Sequence, residues 1–343
     1  MGKASRTKRD RPPWSRDREM TALVSRLRDQ EAVVEQQCPG ALAELEQLRS
    51  RHRSEQADWA GWCWLPTRVS HQVAMRRSRP GLAEHVQLGL GEAMSFIGAW
   101  RQGKGIYRVS PEFAEQLHAT RLPDALPGEV LLQFPEWCAY LALRPIAGVM
   151  GAYVRLDWDQ DARRPVLALL FDFATEAEPE QSILVNLDLP LDHPSLSSAL
   201  AELLADTDSV PGDQPDGVPA LATTVRPFID VALYLCSIEA DVMSAPSRTA
   251  KPHRASSPSP EPRVWDVGYR VADLLRRASV NQRPQALGSH ASPSPHMRRA
   301  HWHTYLVGKG SRADPSTARR ELRWVHPTLV GAGDRVAVVR HLG

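Results

Sequence analysis

The amino-acid sequence predicts an α+β protein with N-terminal helices, a central antiparallel β meander, a long buried helix and a C-terminal β hairpin, packed on one mixed core. Two observations support this class. Before residue 126 apolar residues recur at helical spacing, whereas Gly128 to Pro190 holds short segments rich in Val, Leu, Phe, Tyr and Trp. These segments follow one another without a helical pattern between them, which is typical of a meander and not of a doubly wound sheet.

The first 18 residues are predicted to form a disordered basic tail, because they combine seven Lys or Arg with only two Asp. Residues 19–125 follow as a mainly helical region. Two helices joined at Pro39-Gly40 are expected at its start, since apolar residues recur at helical spacing on both sides. The three tryptophans between Trp59 and Trp64 are expected to pack in the core rather than to stack on a ligand.

Proline and glycine residues mark the predicted boundaries of the next elements. Pro80 is predicted to open a helix whose apolar stripe continues to about Trp100. Gly103-Lys104-Gly105 is interpreted as a turn, because it lacks the spacing of a phosphate-binding loop, and Ile106–Val109 as a short strand. Ser110-Pro111 is typical of an N-cap followed by a first helical residue, so a short helix should come next.

Five strands are predicted between Gly128 and Pro190, with a polar hairpin connection from Asp159 to Arg164. The carboxylates near this connection are expected to be solvated, because the glycine and the distal glutamate of a calcium loop are missing. These carboxylates are Asp157, Asp159, Asp161 and Asp172. The strands are Val130–Phe134, Trp137–Leu143, Ala152–Trp158, Val166–Phe173 and Ile183–Leu189.

Residues 126–343 form the predicted α+β region. Its longest helix runs from Leu221 to Met243 and is apolar enough to lie at the centre of the core. Two Pro/Ser-rich segments, 244–263 and 282–295, are predicted as exposed insertions because their composition does not support a packed element. The remaining elements are helices at Pro194–Ala205 and Gly268–Ala278 and a last strand at Arg335–Arg340.

The C-terminal hairpin is predicted from period-two alternation that starts at Arg298. The loop between its strands contains Gly308-Lys309-Gly310, which supplies backbone freedom. One face is apolar and should be buried, and the other carries polar and aromatic groups and should be exposed. The buried face comprises Ala300, Trp302, Leu306, Leu322 and Trp324, and the exposed face comprises Arg299, His301, His303, Tyr305, Glu321 and Arg323.

Charge and cysteine usage indicate the environment. The net charge is +2, but residues 1–18 and 296–323 each carry +5, which leaves −8 for the remainder. Basic ends of this kind favour contact with a polyanion. The four cysteines lie far apart without a CxxC spacing, which predicts a reducing, cytoplasmic environment and thiols that serve as small core residues. No apolar run is long enough to predict a membrane span.

No motif in the sequence specifies catalysis, since nucleophile elbows, dinucleotide fingerprints, phosphate-binding loops and zinc-finger spacings are all missing. His301 and His303 share a strand face, but the nearby arginines oppose a metal there, so no cofactor is expected. With Arg299, the same histidines could serve a metal-independent ribonuclease as acid, base and phosphate clamp. The hairpin face is also compatible with binding of peptide or RNA, and the basic ends with a plasmid-encoded DNA-binding maintenance protein.

The hairpin also resembles a known family. Pro295–Tyr305, Gly308-Lys309-Gly310 and Arg323-Trp324 with Pro327 are similar to the C-terminal signature of a type V-A anti-CRISPR family, which represses biosynthesis of the type V-A effector nuclease. The resemblance covers about residues 90–330. Three further blocks occur in the same order: Gly98–Tyr107, Phe134–Tyr140 and Leu233–Asp241.

The resemblance implies a function that composition alone does not give. It implies recognition of the nascent N-terminal polypeptide of the effector nuclease, or of another host protein, followed by loss of the mRNA. The implied partners are that polypeptide and the ribosome or mRNA near it, and such families are carried by plasmids and phages. The candidate binding residues are Arg298, Arg299, His301, Trp302, His303, Tyr305, Lys309, Arg323, Trp324, Trp100, Tyr107 and Trp137.

Overall fold

The computed structural model describes residues 17–51, 59–146, 148–174, 182–207, 217–244, 252–255, 258–259, 261–281, 296–307 and 319–330. Its helices are α1 (Asp17–Gln37), α2 (Ala41–Arg51), α3 (Thr67–Arg77), α4 (Glu84–Gly103), α5 (Pro111–His118), a 3-10 helix (Gly128–Gln133), α6 (Leu196–Thr207), α7 (Gly217–Leu235) and α8 (Tyr269–Asn281). Its strands are β1 (Gly105–Val109), β2 (Cys138–Ala142), β3 (Val149–Asp159), β4 (Arg164–Ala174), β5 (Ser182–Pro190), β6 (Val242–Ser244), β7 (Arg263–Val267), β8 (His296–Arg298), β9 (His301–Val307), β10 (Arg319–Val325) and β11 (Thr328–Val330).

Seven strands form one mixed sheet in the order β5-β4-β3-β2-β1-β7-β6. Strands β2 to β5 are the antiparallel meander that the sequence predicts. Strand β1 lies inside the sheet and pairs in parallel with both β2 and β7. The α+β class is therefore confirmed, and the parallel pairs are an addition that the local sequence pattern does not reveal. Two small antiparallel sheets, β9-β10 and β8-β11, lie toward the C-terminus.

The sheet divides the hydrophobic core in two. Helices α1 to α4 cover one face, where Trp64, Trp100 and Tyr153 are buried. Helices α5 to α8, the 3-10 helix and the β9-β10 hairpin cover the other face, where Phe113 and Tyr234 are buried. The expected single mixed core is thus two cores, because a sheet with helices on both faces buries apolar side chains in both directions.

The two predicted N-terminal helices are α1 and α2, and they are joined where Gly40 adopts a positive φ of 73°. Helix α1 is held on the sheet by a buried ion pair, in which Arg26 Nη2 lies 2.7 Å from Asp172 Oδ1 on β4. The buried Gln30 amide extends the attachment, because its oxygen accepts from the Tyr153 hydroxyl and its nitrogen donates to Ser182 Oγ. The following helix, α3, is absent from the sequence-based prediction.

The expectation that the acidic residues near the β3-β4 connection are all solvated is wrong for two of them. Asp157 is 4% exposed and Asp172 is fully buried, whereas Asp161 is exposed. Both buried carboxylates are paired with a guanidinium group, Asp157 with Arg155 and Asp172 with Arg26. Buried carboxylates require such partners, and partners that are distant in sequence cannot be recognised from spacing.

One element type and one helix start differ from the prediction, and both lie close to proline and glycine residues. Residues 130–134 are not a strand, because Gly128–Gln133 forms a 3-10 helix that buries Val130 and Leu131. A short apolar run has no periodicity that distinguishes these outcomes. Pro80 does not open α4, which begins at Glu84, since Gly81 adopts a positive φ of 89° that interrupts helical geometry.

The long apolar helix, α7, ends at Leu235 and does not reach Met243. The chain turns there because the Ser237 N–H and hydroxyl both donate to the Tyr234 carbonyl. The Tyr234 hydroxyl then accepts from the Asp241 N–H, at 2.7 Å. Asp241 in turn accepts from the Arg270 N–H in the first turn of α8, so one acidic residue links the end of α7 to the start of α8.

Part of the predicted insertion 244–263 packs against the rest of the protein. Arg254 Nη2 donates to the carbonyls of Leu132 and Phe134, and the Ser259 N–H donates to the Arg101 carbonyl. Three other predictions lie wholly or mostly outside the described residues: the tail 1–18, the insertion 282–295 and the last strand 335–340. The last two residues of the predicted tail, 17 and 18, are the first two residues of α1.

The four cysteines are all buried as free thiols, as the sequence analysis expects. Burial raises the pKa of the Cys63, Cys138 and Cys236 thiols, so these groups stay protonated. Among the described residues, the helices are too short or too polar to cross a membrane.

Candidate functional site

The β9-β10 hairpin has the two-faced construction that its alternating sequence predicts. Cross-strand partners pair Trp302 with Trp324, His303 with Arg323, and Tyr305 with Glu321. Side chains of a strand alternate between the two faces, so the first pair lies on one face and the other two pairs lie on the opposite face. We refer to the face that carries His301, His303, Tyr305, Glu321 and Arg323 as the outer face.

The inner face anchors the hairpin to the body of the protein. Trp302, Leu322 and Trp324 are 6%, 2% and 3% exposed. The Trp324 indole meets the rings of Phe113 and Tyr234 edge-on at centroid distances of 5.3 and 5.7 Å. These contacts fix the orientation of the hairpin through aromatic packing.

Two hydrogen bonds add direction to this packing. Trp324 Nε1 donates to Thr120 Oγ1 at 3.2 Å, and the Ile238 N–H donates to the Leu322 carbonyl at 3.0 Å. The second bond joins the hairpin to the segment that follows α7. The sequence analysis placed Trp302 and Trp324 both among the candidate binding residues and on the buried face of the hairpin. In the structure they lie on the buried face.

The outer face carries a short stack of aromatic and cationic groups. The His303 and Tyr305 ring centroids are 4.2 Å apart with a 30° tilt, and the Arg323 guanidinium carbon lies 5.3 Å from the Tyr305 ring. Arg323 Nη2 also lies 2.8 Å from Glu239 Oε1. The guanidinium is therefore held in place, with part of its charge already compensated by a carboxylate.

The remaining predicted residues of the hairpin are placed as follows. His301 and Arg299 are exposed, and His301 follows the outer-face pattern. Arg298 pairs with Thr328 in the small β8-β11 sheet, through the backbone. Lys309 lies outside the described residues. Glu239, which lies in the segment after α7 and pairs with Arg323 of the outer face, was not singled out in the sequence, although it belongs to the Leu233–Asp241 block.

The arrangement gives little support to acid-base catalysis by His301, His303 and Arg299. General acids and bases are normally oriented by a neighbouring hydrogen-bonding group. Within the parts of the chain that the structure describes, neither imidazole has such a partner, and His303 instead packs against the Tyr305 ring. Those parts also contain no group of three His, Cys, Asp or Glu residues placed to bind a metal ion.

The predicted aromatic residues Trp100, Tyr107 and Trp137 lie away from the outer face. Trp100 is 1% exposed in the core beneath α4, where its Nε1 donates to the Gly105 carbonyl. Tyr107 is fully buried on the opposite face of the sheet and stacks on Trp265 with a 6.1 Å centroid distance. In this conformation neither ring is accessible to solvent.

Trp137 is half-buried and lies between two guanidinium groups. The Arg49 and Arg254 guanidinium carbons are 4.7 and 5.3 Å from its ring, and its Nε1 donates to the Ala255 carbonyl at 2.7 Å. This cation–π arrangement ties α2, the start of β2 and the 252–255 segment together.

Glu136, which the sequence analysis did not select, is buried beside these aromatic residues. It is 1% exposed and accepts a 3.0 Å hydrogen bond from the Tyr107 hydroxyl. Burial raises the pKa of Glu136 to about 7, although Tyr107 and Arg263 act in the other direction. A Cβ on Gly103 would lie 2.6 Å from its carboxylate oxygen, so a larger residue there would displace the Glu136 side chain. The sequence signal that could have identified Glu136 is its position as an acidic residue within the otherwise apolar segment Phe134–Cys138.

Comparison with known proteins gives two positive results. Residues 107–332, about two-thirds of the chain, match the AcrVA2-like family, which is the anti-CRISPR type V subtype A2 family. A crystal structure of AcrVA2 matches with a TM-score of 0.60 and 18% identity, over 90% of this chain and 99% of that chain. No curated protein sequence matches the chain.

The match includes most of the structural features described above. Both strands of the hairpin, the buried Glu136 and the segment after α7 lie inside residues 107–332. The solved structure supports the fold along nearly the whole chain, including the helices that precede the matched region. The chain therefore belongs to the AcrVA2-like family of type V subtype A2 anti-CRISPR proteins.

Proposed function

We propose that this protein is a cytoplasmic, translation-coupled repressor that recognises the nascent N-terminal polypeptide of a type V-A effector nuclease, or of another host protein. Recognition promotes loss of the mRNA that encodes the polypeptide. The observation that carries the proposal is the family match over residues 107–332, which assigns the chain to anti-CRISPR proteins. The additional partner is the ribosome or the mRNA, which lies beside any nascent chain.

The outer face of the hairpin suits a contact of this kind. Tyr305 is 36% exposed and presents a ring beside the His303 imidazole and the Arg323 guanidinium. Such a surface can stack on the bases of single-stranded RNA or on aromatic side chains of a peptide. The compensation of Arg323 by Glu239 favours contacts of mixed polarity over the binding of a bare phosphate.

The proposal is tested with paired reporters expressed together with the protein in cells. One reporter begins with the N-terminal coding region of a type V-A effector nuclease, and the other encodes the same peptide through synonymous codons. We expect both transcripts to fall, because the peptide is the recognised feature. The transcript of a reporter with a mutated start codon should not fall, because no peptide is made from it.

The outer-face contact is tested in the same assay with Tyr305→Ala. This variant should weaken repression because it removes the exposed ring, whereas Tyr305→Phe should keep most of it. Loss of only the original transcript, and not of the recoded one, would show that RNA sequence is recognised. Cleavage of purified mRNA by the protein alone, abolished in His301→Ala, would show that the protein is a ribonuclease and overturn the proposal.

A further inference from the structure

Strand β5 forms one edge of the seven-stranded sheet. On its inner side it pairs with β4 along its full length, from Ser182 opposite Ala174 to Pro190 opposite Val166. Within the described ranges, no strand pairs with its outer side. In an antiparallel edge strand, alternate backbone N–H and C=O groups point away from the sheet and are available to another chain.

The side chains of β5 add an apolar surface to this free backbone edge. Ile183 and Val185 are 50% and 47% exposed, although both are β-branched residues in the interior of a strand. Leu187 and Leu189 lie on the same face by alternation, and they are buried because α6 covers them. Among the described residues, helix α6 therefore covers only the half of this face with Leu187 and Leu189, and Ile183 and Val185 stay about half exposed.

Natural sheets usually protect such an edge with lysine, an internal proline or a bulge. Residues 182–190 contain no Lys or Arg, and Pro190 is the last residue of the strand. The register with β4 is continuous, without a bulge. Among the described residues, the Ile183 to Val185 part of this edge therefore has none of these protections, and the first charged side chain of the strand is Asp188.

The charge near the C-terminal end of β5 indicates the chemistry of the added strand. Asp188 and Asp192 are both exposed, and among the described residues no basic side chain lies within 4 Å of either carboxylate. Although Asp188 is exposed as a whole residue, its carboxylate group is largely desolvated. This desolvation and the nearby Asp157 and Glu92 carboxylates raise the pKa of Asp188 to about 7, whereas the Arg155 guanidinium and the Asn186 amide act in the other direction. A further cation beside Asp188 would lower that pKa. Glu202 on α6 is 55% exposed in the same region, where it contacts His193. An extended peptide with apolar residues at one end and basic residues at the other would complement this edge.

We propose that β5 is the docking strand for an extended polypeptide, which joins the sheet as an additional edge strand. Its apolar residues lie over Ile183 and Val185, and its basic residues lie near Asp188 and Asp192. Backbone hydrogen bonds supply affinity, and the alternate side chains supply selectivity. This inference rests on the proposed function for the identity of the peptide, and it leaves the outer face of the hairpin to the ribosome or the mRNA.

The test uses the full chain and a synthetic peptide of about 30 residues from the N-terminus of a type V-A effector nuclease. Binding is measured by fluorescence anisotropy, and hydrogen–deuterium exchange is followed with and without the peptide. We expect slower exchange across residues 182–190. Val185→Lys should weaken binding by tenfold or more, because it places a solvated charge on the open half of the face.

A matched control is Val86→Lys, which alters another exposed valine, 39% exposed near the start of α4. It should bind the peptide like the unaltered protein. Because a lysine on an edge strand can also disturb the sheet, a second measurement leaves the protein unchanged. A peptide with alternate backbone amides N-methylated keeps the side chains but cannot form the ladder, and it should lose binding.

The outcomes separate this inference from the function on which it rests. If the peptide binds but slows exchange only in residues 296–330, and Val185→Lys binds normally, the β5 site is wrong and nascent-chain recognition stands. If the peptide does not bind at all and both reporter transcripts persist, both proposals are wrong. A dimer that sedimentation detects and Val185→Lys dissociates would show a second copy at this edge and overturn the peptide site.

Discussion

Arg155 and Asp157 are two residues apart on β3, and Arg155 Nη2 lies 2.6 Å from Asp157 Oδ2 in a position closed to solvent. The pair is joined to the start of α3. The Thr67 N–H donates to Asp157 Oδ2, Arg155 Nη2 donates to Thr67 Oγ1, and Arg155 Nη1 donates to the Leu65 carbonyl. One buried ion pair therefore fixes the position where α3 begins on the sheet.

Replacing Asp157 with Asn should destabilise the protein strongly. The variant removes the carboxylate that is paired directly with the buried Arg155 guanidinium, and the loss of such a partner typically costs about 3–5 kcal/mol. Urea denaturation followed by circular dichroism measures the loss. The control is Arg68→Ala, which breaks the exposed Arg68–Asp161 pair and should cost less than about 1 kcal/mol. Equal losses in the two variants would contradict this account of α3.

Trp324→Ala should detach the hairpin from the body. Trp324 is 3% exposed and contacts Phe113, Tyr234 and Thr120, so truncation removes buried aromatic packing worth about 3–5 kcal/mol. Thermal denaturation and near-ultraviolet circular dichroism report the change. Tyr305→Ala on the outer face should alter stability by less than about 0.5 kcal/mol. A small effect of Trp324→Ala would mean that the inner face does not anchor the hairpin.

The buried Glu136 should make stability depend on pH. Its folded-state pKa is about 7 against an ordinary value of 4.5, so the folded protein holds the proton more tightly than the unfolded chain. The stabilising contribution is complete below pH 4.5 and is lost as the pH rises through 7. It amounts to about 3 kcal/mol at the conversion of 1.36 kcal/mol per pKa unit.

Glu136→Gln isolates this contribution because the amide does not ionise. Denaturation at pH 4 and at pH 8 should show that the variant loses less stability than the unaltered protein between these two values. The exposed residue Glu261, with 74% of its side chain accessible, provides the control, and Glu261→Gln should leave the pH dependence unchanged. Parallel pH profiles for the unaltered protein and Glu136→Gln would contradict the raised pKa.

Gly268→Ala should destabilise the junction between β7 and α8. Gly268 has a φ of +70°, and a Cβ there would lie 2.1 Å from Phe113 Cγ. The combined cost of a left-handed alanine and overpacking is about 2–5 kcal/mol. Gly89→Ala is the matched control, because Gly89 lies inside α4 with open space around it and alanine there should stabilise by about 0.5–1 kcal/mol. Chemical denaturation of both variants measures the two opposite shifts.

Local sequence patterns predicted the elements whose contacts are local. The meander β2 to β5 and the alternating hairpin were predicted because period-two patterning is a property of each strand by itself. The parallel placement of β1 between β2 and β7 was not predicted, because it depends on chain segments that are far apart in the sequence. The 3-10 helix at Gly128–Gln133 was mistaken for a strand because a short apolar run suits both.

For the candidate site too, the sequence predicted local features and missed contacts between distant elements. The exposed positions of His303, Tyr305 and Arg323 follow from alternation, but the pairing of Arg323 with Glu239 does not, since Glu239 lies on a different element. Trp100 and Tyr107 were selected as candidate binding residues and are buried. Aromatic residues in a strand or helix give no local signal of whether a second layer will cover them.

The position of β1 between β2 and β7 also determines when the protein can complete its fold during its own synthesis. Its two neighbours are far apart in the chain, because β7 pairs with β1 only after about 160 further residues have been made. At about 5–20 residues per second, this interval is roughly 8–30 s. Throughout it, one side of β1 lacks its partner strand β7, so a chaperone that shields an incomplete sheet should associate with ribosomes that have passed residue 109 but not residue 267.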